Sequence, residues 1–400
     1  MRFLLVLALV LAGCGSVAPS PRPSASSTPV LRPTVSPTAP PTSTPTASPL
    51  ATATPPATGL LTDLAVEMRR VPDEFTGHVS AFVSLGDQIV WSGGPGHDDN
   101  NLYRYVPGAA EPELLYENTE RDSSLTSVAG SAAGYAFTDE RWVDGEPRGW
   151  RLWFLPAQGG ELMLVDQSTD DRLIAPTIAM NDEWLAWEVV HGTFEEPINE
   201  LRVVSVADPR TPTTLLSYPG RDVYMQFPAL WADELWYGIA DNDWDALTEK
   251  PRVEMIDLSE AAASPLPFGA AERAFMPAPA RDVVAWKGGG TDEFAALTSG
   301  ALMLYWRADG QIERLPLPGD AATERISYPS VGNRFVAWWD DIGQRFYVYD
   351  LVERRFRRIA EYDWTGEERV TKPSLSGDLL VYAHFVRDGE HYLEWCVLPR

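Results

Sequence analysis

Residues 282–286 read Asp-Val-Val-Ala-Trp, an acidic residue followed by a short apolar run and an aromatic residue. The same phrase, with Asp, Asn or Gly at its start, occurs seven times. Its closing aromatics lie 46, 50, 50, 49, 52 and 44 residues apart, and they are Trp91, Phe137, Trp187, Tyr237, Trp286, Trp338 and Tyr382. A period of about 48 residues is typical of a four-stranded propeller blade, so the repeat predicts an all-β, seven-bladed β-propeller.

Each copy has the same internal order. A first stretch leads through a tight turn to the aromatic-ending strand, and a longer loop leads to a third strand such as Phe346-Tyr-Val-Tyr349. Alternating patterns rich in β-branched and aromatic residues favour strands. Six or eight blades are alternatives, because the second copy has Gly134 in place of Asp or Asn. In five copies the first stretch is opened by a proline, namely Pro176, Pro228, Pro277, Pro329 and Pro373.

The ends of the repeat region fit a closed ring. The seventh copy stops after its third strand, and the stretch Leu64-Ala-Val-Glu-Met68 precedes the first copy. We expect this stretch to supply the outer strand of the last blade, since that pairing would cover an open sheet edge. The seven recurring aromatics are expected to form the packing between blades.

Two segments resemble a known family. Gly86-Asp87-Gln-Ile-Val-Trp91 and Tyr347-Val-Tyr-Asp-Leu351 are similar to the TolB-like, WD40-like propeller repeats of bacterial envelope proteins and archaeal surface-layer proteins. The resemblance covers residues 60–400 and implies the propeller fold. In such families propellers serve as platforms that bind partners, as domains appended to peptidases, or as sugar-active enzymes.

The N-terminus has the pattern of a targeting signal. Residues 1–13 combine one positive charge with an apolar run too short to cross a bilayer, as in a secretory signal peptide. The tetrapeptide Leu11-Ala12-Gly13-Cys14 resembles the lipobox of bacterial lipoproteins, which implies a lipidated Cys14 and cleavage before it. The alternative is an ordinary signal peptide with a coincidental cysteine. We therefore expect a lipid-anchored protein of the cell envelope that faces outside the cytoplasm.

Residues 14–59 differ in composition from the repeats. Of the 43 residues from Ser16 to Thr58, 12 are Pro, 8 are Ser and 9 are Thr. Such a segment cannot bury enough apolar surface to offset the entropy of ordering, so it is expected to be a disordered tether. The expected organisation is a signal peptide over 1–13, a linker over 14–59 and a β-propeller over 60–400.

The charge of the chain excludes some functions. There are 32 Lys and Arg against 57 Asp and Glu, for a net charge of -25. A nucleic-acid-binding protein needs a basic stripe, which this composition opposes. The expected partners are the membrane, through the lipid anchor only, and a protein or glycan of the envelope. The chain is expected to be monomeric.

The loops after the second strand of each copy are long and acidic. Across all seven there are 20 carboxylates against 6 Arg or Lys. Loops on a rigid scaffold are where binding residues concentrate. One interpretation is a solvated rim, and the other is a site for cations, cationic partners or sugars. The candidate ligand-binding residues are Asp98, Asp99, Trp142, Asp144, Trp244, Trp339, Asp340 and Asp341.

One of these loops is also a candidate calcium site. Asp241, Asp243 and Asp245 alternate as in a calcium loop, but Ala246 and Arg252 stand where an EF-hand has Gly and Glu. Calcium is the one cofactor that the sequence suggests.

The sequence carries no recognisable catalytic motif. Gly-x-Ser-x-Gly, His-Glu-x-x-His, phosphate-loop and Cys-x-x-Cys patterns are absent from it. The sequence therefore favours a non-enzymatic binding or envelope-scaffold module. The alternative is a glycosidase or lyase with an acidic, tryptophan-lined centre, since such chemistry needs only two carboxylates.

Overall fold

The computed structural model describes residues 62–400, except for 97–99, 121, 144–145, 170–174, 193–195, 244–247, 261, 265, 268–270, 273, 290–299, 316–325, 341–344, 362–367 and 387–390. At a few strand ends only the backbone is described, Asp243 and Asp340 among them. The described strands form seven sheets that follow one another along the chain. The predicted seven-bladed β-propeller is confirmed.

The strands of the first three blades are antiparallel meanders. Before them come β1 (Thr62–Asp63), β2 (Arg69–Arg70) and a 3-10 turn (Asp73–Phe75). Blade 1 contains β3 (His78–Leu85), β4 (Gln88–Gly94), β5 (Asn101–Tyr105) and β6 (Glu113–Tyr116). Blade 2 contains β7 (Ser123–Ser131), β8 (Gly134–Val143), β9 (Glu146–Pro156) and β10 (Met163–Ser168). Blade 3 contains β11 (Thr177–Met180), β12 (Trp184–Gly192), β13 (Pro197–Ser205) and β14 (Thr213–Pro219).

Blades 4 to 7 repeat this arrangement. Blade 4 contains β15 (Val223–Trp231), β16 (Glu234–Asp243), β17 (Thr248–Asp257), β18 (Ala262–Ser264) and β19 (Ala271–Glu272). Blade 5 contains β20 (Ala274–Pro279), β21 (Val283–Gly289), β22 (Gly300–Trp306) and β23 (Gln311–Leu315). Blade 6 contains β24 (Ile326–Val331), β25 (Phe335–Asp340), β26 (Arg345–Asp350) and β27 (Arg355–Glu361). Blade 7 contains β28 (Glu368–Val370), β29 (Ser374–Ser376), β30 (Leu379–Val386) and β31 (His391–Val397).

The seven recurring aromatic side chains are buried between the blades, as expected. All seven are at most 3% exposed. They pack with the neighbouring blade, as where Phe137 of blade 2 joins Val90 and Leu102 of blade 1 in one apolar cluster. Buried aromatic rings contribute the largest share of apolar burial. The repeat therefore determines the joints between blades as well as the blades themselves.

The strands that close the ring are formed by other residues than expected. Leu64–Met68 is not a strand. Instead β1 pairs in parallel with β27 on the outer edge of blade 6, and β2 pairs antiparallel with β31 on the outer edge of blade 7. Between them, Leu64, Val66 and Met68 pack on a cluster shared by blades 6 and 7. The N-terminal segment 62–70 therefore fastens two blades before the chain enters blade 1.

The second blade is complete despite its divergent sequence. Gly134 begins β8, and a Cβ at this position would lie 2.4 Å from the backbone oxygen of Leu155 and 2.8 Å from the Phe154 ring. Heavy atoms do not approach this closely without a shift, so the local packing requires glycine there. No helix in the described part of the chain is long and apolar enough to cross a membrane.

Candidate functional site

The innermost strands of blades 4, 5 and 6 share a β-bulge. Each bulge falls on a residue followed by proline, and the residue before the proline has a positive φ of 50–55°. Proline cannot donate a ladder hydrogen bond, so it sits in a strand interior only where the ladder is interrupted. A bulge re-aims the side chain of its extra residue. The three residues so placed are Phe227, Met276 and Tyr328.

These three side chains meet at the centre of the ring. The rings of Phe227 and Tyr328 lie edge to face with centroids 5.9 Å apart, although blades 4 and 6 are not neighbours. The backbone N–H of Tyr328 points at the Met276 sulfur at 3.3 Å. A contact between non-adjacent blades can be made only across the central channel. We call Phe227, Met276 and Tyr328 the channel wall.

Lys372 lies beside the channel wall. It precedes Pro373, in the gap between β28 and β29 of blade 7, which is the position that Tyr328 has in blade 6. Its ammonium nitrogen is 5.2 Å from the centroid of the Tyr328 ring. Lys372 keeps solvent-accessible surface, and the protein atoms packed around its ammonium lower the pKa of Lys372 because they disfavour its charged form.

Glu188 of blade 3 acts on Lys372 from the other side of the channel. Its carboxyl accepts hydrogen bonds from the hydroxyl and the backbone N–H of Thr177. Its second oxygen, Oε2, is buried and has no hydrogen-bond partner among the described residues. Burial raises the pKa of Glu188 to about 8, while the Thr177 donors and the positive charge of Lys372 oppose the rise. Glu188 is therefore mostly a neutral acid at pH 7.

Blades 1 and 2 place hydroxyl groups at the bulges of their inner strands. The bulge residues there are Ser80 and Thr126. Ser80 Oγ is 2.8 Å from His78 Nε2, and the Thr126 and Thr138 hydroxyls are 3.0 Å apart. The ring of inner-strand bulges is therefore asymmetric: it is apolar and aromatic at blades 4 to 6 and hydroxylic at blades 1 and 2, with one cation at blade 7.

The candidate residues of the acidic loops are only partly within the described chain. Trp142 is half-buried near the end of β8, and Trp339 is half-buried against a cluster shared by blades 6 and 7, so neither is a freely exposed ring. Asp340 is described by its backbone alone, at the end of β25. The described chain brings none of these residues together into a site. Asp98, Asp99, Asp144, Trp244 and Asp341 lie outside the described residues.

The candidate calcium loop is also only partly described. Asp241 is exposed, and its carboxylate accepts a hydrogen bond of 2.6 Å from the Arg252 guanidinium. Asp243 is described by its backbone alone, and Asp245 lies outside the described residues. Within the described ranges, no three His, Cys, Asp or Glu side chains are gathered as metal ligands. Calcium binding therefore stays a prediction, as does lipidation of Cys14, which precedes the first described residue.

The sequence interpretation missed the channel residues. It recorded the five prolines as the openings of strands but did not consider the residue before each of them. Those residues are Ala175, Phe227, Met276, Tyr328 and Lys372. Their recurrence one position before a repeated proline was the available signal, since the residue before proline is conformationally restricted.

Comparison with solved structures places the fold beside peptidase propellers. The propeller domain of the Trilobed protease from Pyrococcus furiosus aligns with a TM-score of 0.54 at 9% identity, over 81% of this chain and 94% of that chain. The acylaminoacyl peptidase of Pyrococcus horikoshii aligns with a TM-score of 0.53 at 12% identity, over 83% of this chain and 54% of that one. This chain thus spans about half the length of that peptidase. No protein-family model and no curated protein matches the chain.

A third structure is similar to the same degree. It is an acylaminoacyl peptidase in complex with Z-Gly-Gly-Phe-chloromethyl ketone, with a TM-score of 0.54 at 12% identity over 82% of this chain. Each of these three structures is of a protease or a peptidase. The prediction of a non-enzymatic binding or envelope-scaffold module was wrong. The alternative prediction, a glycosidase or lyase, was wrong as well.

Proposed function

We propose that this chain is a peptidase-related propeller whose central channel binds a segment of substrate peptide and presents it to a peptidase catalytic centre. The observation that carries the proposal is the one-sided channel wall, in which three bulged residues of consecutive blades converge. The proteases and peptidases that share its fold support a peptide as the ligand.

The chemistry of the channel suits an extended peptide. A peptide offers apolar side chains together with backbone N–H and C=O groups that need partners when water is excluded. The channel wall provides apolar and aromatic surface for the side chains. Ser80 and Thr126 provide donors at the inner-strand bulges of blades 1 and 2, and Lys372 provides donors beside Tyr328. The unpartnered Glu188 oxygen provides a further polar group. Ligand sites commonly combine an apolar lining with a few such polar groups.

A matched pair of variants on one strand tests peptide binding. Phe227 and Trp231 both lie on β15, but Phe227 belongs to the channel wall whereas Trp231 is exposed at the hairpin. Fluorescence anisotropy with dye-labelled, unstructured nonapeptides should give a Kd that rises about 10-fold or more in Phe227→Ala, because a buried aromatic contact is lost. Trp231→Ala should leave Kd unchanged. Absence of binding by the parent protein, or equal losses in both variants, would contradict the proposal.

We also propose that the chain is attached to a membrane by lipid on Cys14 and works outside the cytoplasm. The lipobox-like Leu11-Ala12-Gly13-Cys14 supports this, together with the Pro, Ser and Thr-rich linker that follows. Stable anchoring needs more than one acyl chain, and the diacylglycerol that a lipobox cysteine receives carries two. Lipidation of Cys14 should therefore determine whether the protein is bound to the membrane. In cells, Cys14→Ser should move it from the membrane fraction to the soluble fraction. A Cys396→Ser control, at the buried thiol of β31, should stay in the membrane fraction.

A further inference from the structure

We infer that Lys372 and Glu188 bind the terminal carboxylate of a peptide, so that the channel selects peptides with a free C-terminus and an apolar last residue. The inference rests on the proposed function and names the class of peptide that the channel takes.

Lys372 has hydrogen-bond donors that the described chain does not use. Its ammonium group has three N–H donors, and within the described chain it forms neither a hydrogen bond nor an ion pair. The Tyr328 ring positions the ammonium at 5.2 Å without consuming those donors, as a cation–π contact does. In a chain with a net charge of -25, an unpaired cation inside the channel is a local exception that attracts an anionic group.

Glu188 is mostly protonated at pH 7, because burial raises its pKa to about 8. An ionised carboxylate facing Lys372 would compete with an anionic ligand, but burial keeps most of the Glu188 carboxyl neutral at pH 7. Its unpartnered Oε2 can then carry a proton and donate it in a hydrogen bond, as a protonated carboxyl does. A peptide carboxylate would accept one bond from Lys372 and one from Glu188, with no charge repelling it.

Among the described residues, Lys372 is the charged group that acts on the Glu188 carboxyl, and Glu188 is the one that acts on Lys372. Thr177 donates to the other oxygen of Glu188, and the Tyr328 ring covers Lys372. Among the residues that the structure describes, the carboxyl and the ammonium of this pair are therefore the two groups whose charge matters here as pH changes.

The last residue of a bound peptide would lie beside apolar surface. The group bound at Lys372 lies next to the Tyr328 ring, which in turn contacts Phe227. A side chain one bond away from the carboxylate would therefore lie on the channel wall. Aromatic or branched apolar side chains would lose the most water-exposed surface there.

The pH dependence has a definite sign. As pH rises through about 8, Glu188 ionises and loses its donor proton. The peptide carboxylate then meets a negative charge, and because burial lowers the pKa of Lys372, the ammonium also loses its proton more readily as pH rises. The affinity for a free carboxylate should therefore be full near pH 6.5 and fall as pH approaches about 9.

The test compares two labelled nonapeptides of one sequence ending in Phe, one with a free carboxylate and one with a C-terminal amide. At pH 7 the acid should bind about 10-fold more tightly than the amide. Lys372→Met should abolish this preference, Lys372→Arg should retain it, and Arg281→Met, at an exposed cation on another blade, should not affect it. Glu188→Gln, which keeps a donor without a titrating proton, should retain the preference at pH 7 and leave only the loss at higher pH that deprotonation of Lys372 causes.

The outcomes separate the two proposals. Equal affinity for acid and amide, with tight binding of both, would overturn the carboxylate site and leave channel binding of peptides intact. A preference that survives in Lys372→Met would also overturn it. Absence of binding by both peptides would overturn the proposed function and this inference together.

Discussion

Removal of residues 1–77 is expected to unfold the ring, or to lower its free energy of unfolding by more than about 5 kcal/mol. The change deletes β2 and exposes the outer edge of β31. It also removes the fully buried Val71, whose N–H donates to the Leu393 oxygen at 3.0 Å, and Arg70, which lies 3.7 Å from the centroid of the Tyr392 ring. Urea unfolding monitored by tryptophan fluorescence measures the effect.

Two shorter truncations give the matched series. A chain that begins at residue 61 keeps every described contact and should unfold like the parent protein. A chain that begins at residue 68 loses the β1–β27 pairing and the packing of Leu64 and Val66, but it keeps β2. It should have an intermediate stability. If the chain that begins at residue 78 unfolded at the parent's urea midpoint, closure by the N-terminal segment would not matter for stability.

Trp338→Ala is expected to cost about 3–5 kcal/mol of stability, the usual cost of replacing a buried aromatic ring by alanine. Trp338 is fully buried in a cluster formed by blades 5 and 6. Its ring stacks on Tyr347 with centroids 5.6 Å apart and meets Phe356 edge to face at 5.5 Å. The cavity would therefore open at the joint between two blades. Urea denaturation of the purified variant measures the loss.

Two further variants control for the indole. Trp231→Ala removes an exposed ring and should change stability by less than about 1 kcal/mol. Trp338→Phe should cost less than Trp338→Ala, because it keeps most of the ring and because Nε1 has no hydrogen-bond partner among the described residues. A Trp338→Ala loss no larger than that of Trp231→Ala would show that the recurring aromatics do not hold the blades together.

The fold was predictable because its signal is repeated. Each blade places one aromatic at the same joint, as Trp91, Trp187 and Trp338 do, so one packing requirement appears along the chain at a fixed interval. Gly134 is an informative exception. It looks like a weak copy in the sequence, but the close approach of the Leu155 backbone explains it. This close approach depends on the tertiary structure, so the sequence around Gly134 does not predict it.

The closing strand was predicted in the wrong place for a physical reason. Leu64, Val66 and Met68 alternate with the small Ala65 and the charged Glu67, which is close to the pattern of a half-buried strand. An extended chain that packs on a seam between blades has the same period without forming a strand. Leu64–Met68 packs in this way, and the Leu64 N–H donates a backbone hydrogen bond of 2.8 Å to the Arg358 oxygen of β27. The residues that do pair, Arg69 and Arg70, are charged and resemble no strand, because they lie at an exposed sheet edge.

The channel residues could not be predicted from a repeated sequence pattern as the blades were. Phe227, Tyr328 and Lys372 belong to blades 4, 6 and 7 and are far apart in sequence, so no spacing rule brings them together. Their convergence depends on the curvature of the ring and on bulges that turn each side chain inward. The acidic loops were predicted as candidate binding sites because their charged residues are adjacent in the sequence. The channel contacts are made by single residues that lie in different repeats.

The fastening of blades 6 and 7 by residues 62–70 has a consequence for how the protein is made. Asp63 contacts Arg358, 295 positions later, and Arg70 contacts Glu394, 324 positions later. During synthesis, residues 62–70 therefore leave the ribosome long before the strands of blades 6 and 7 that they contact. They stay unpaired until almost all of the propeller has been synthesised. Contacts at such separations are slow to form, and the final docking should limit the rate of refolding.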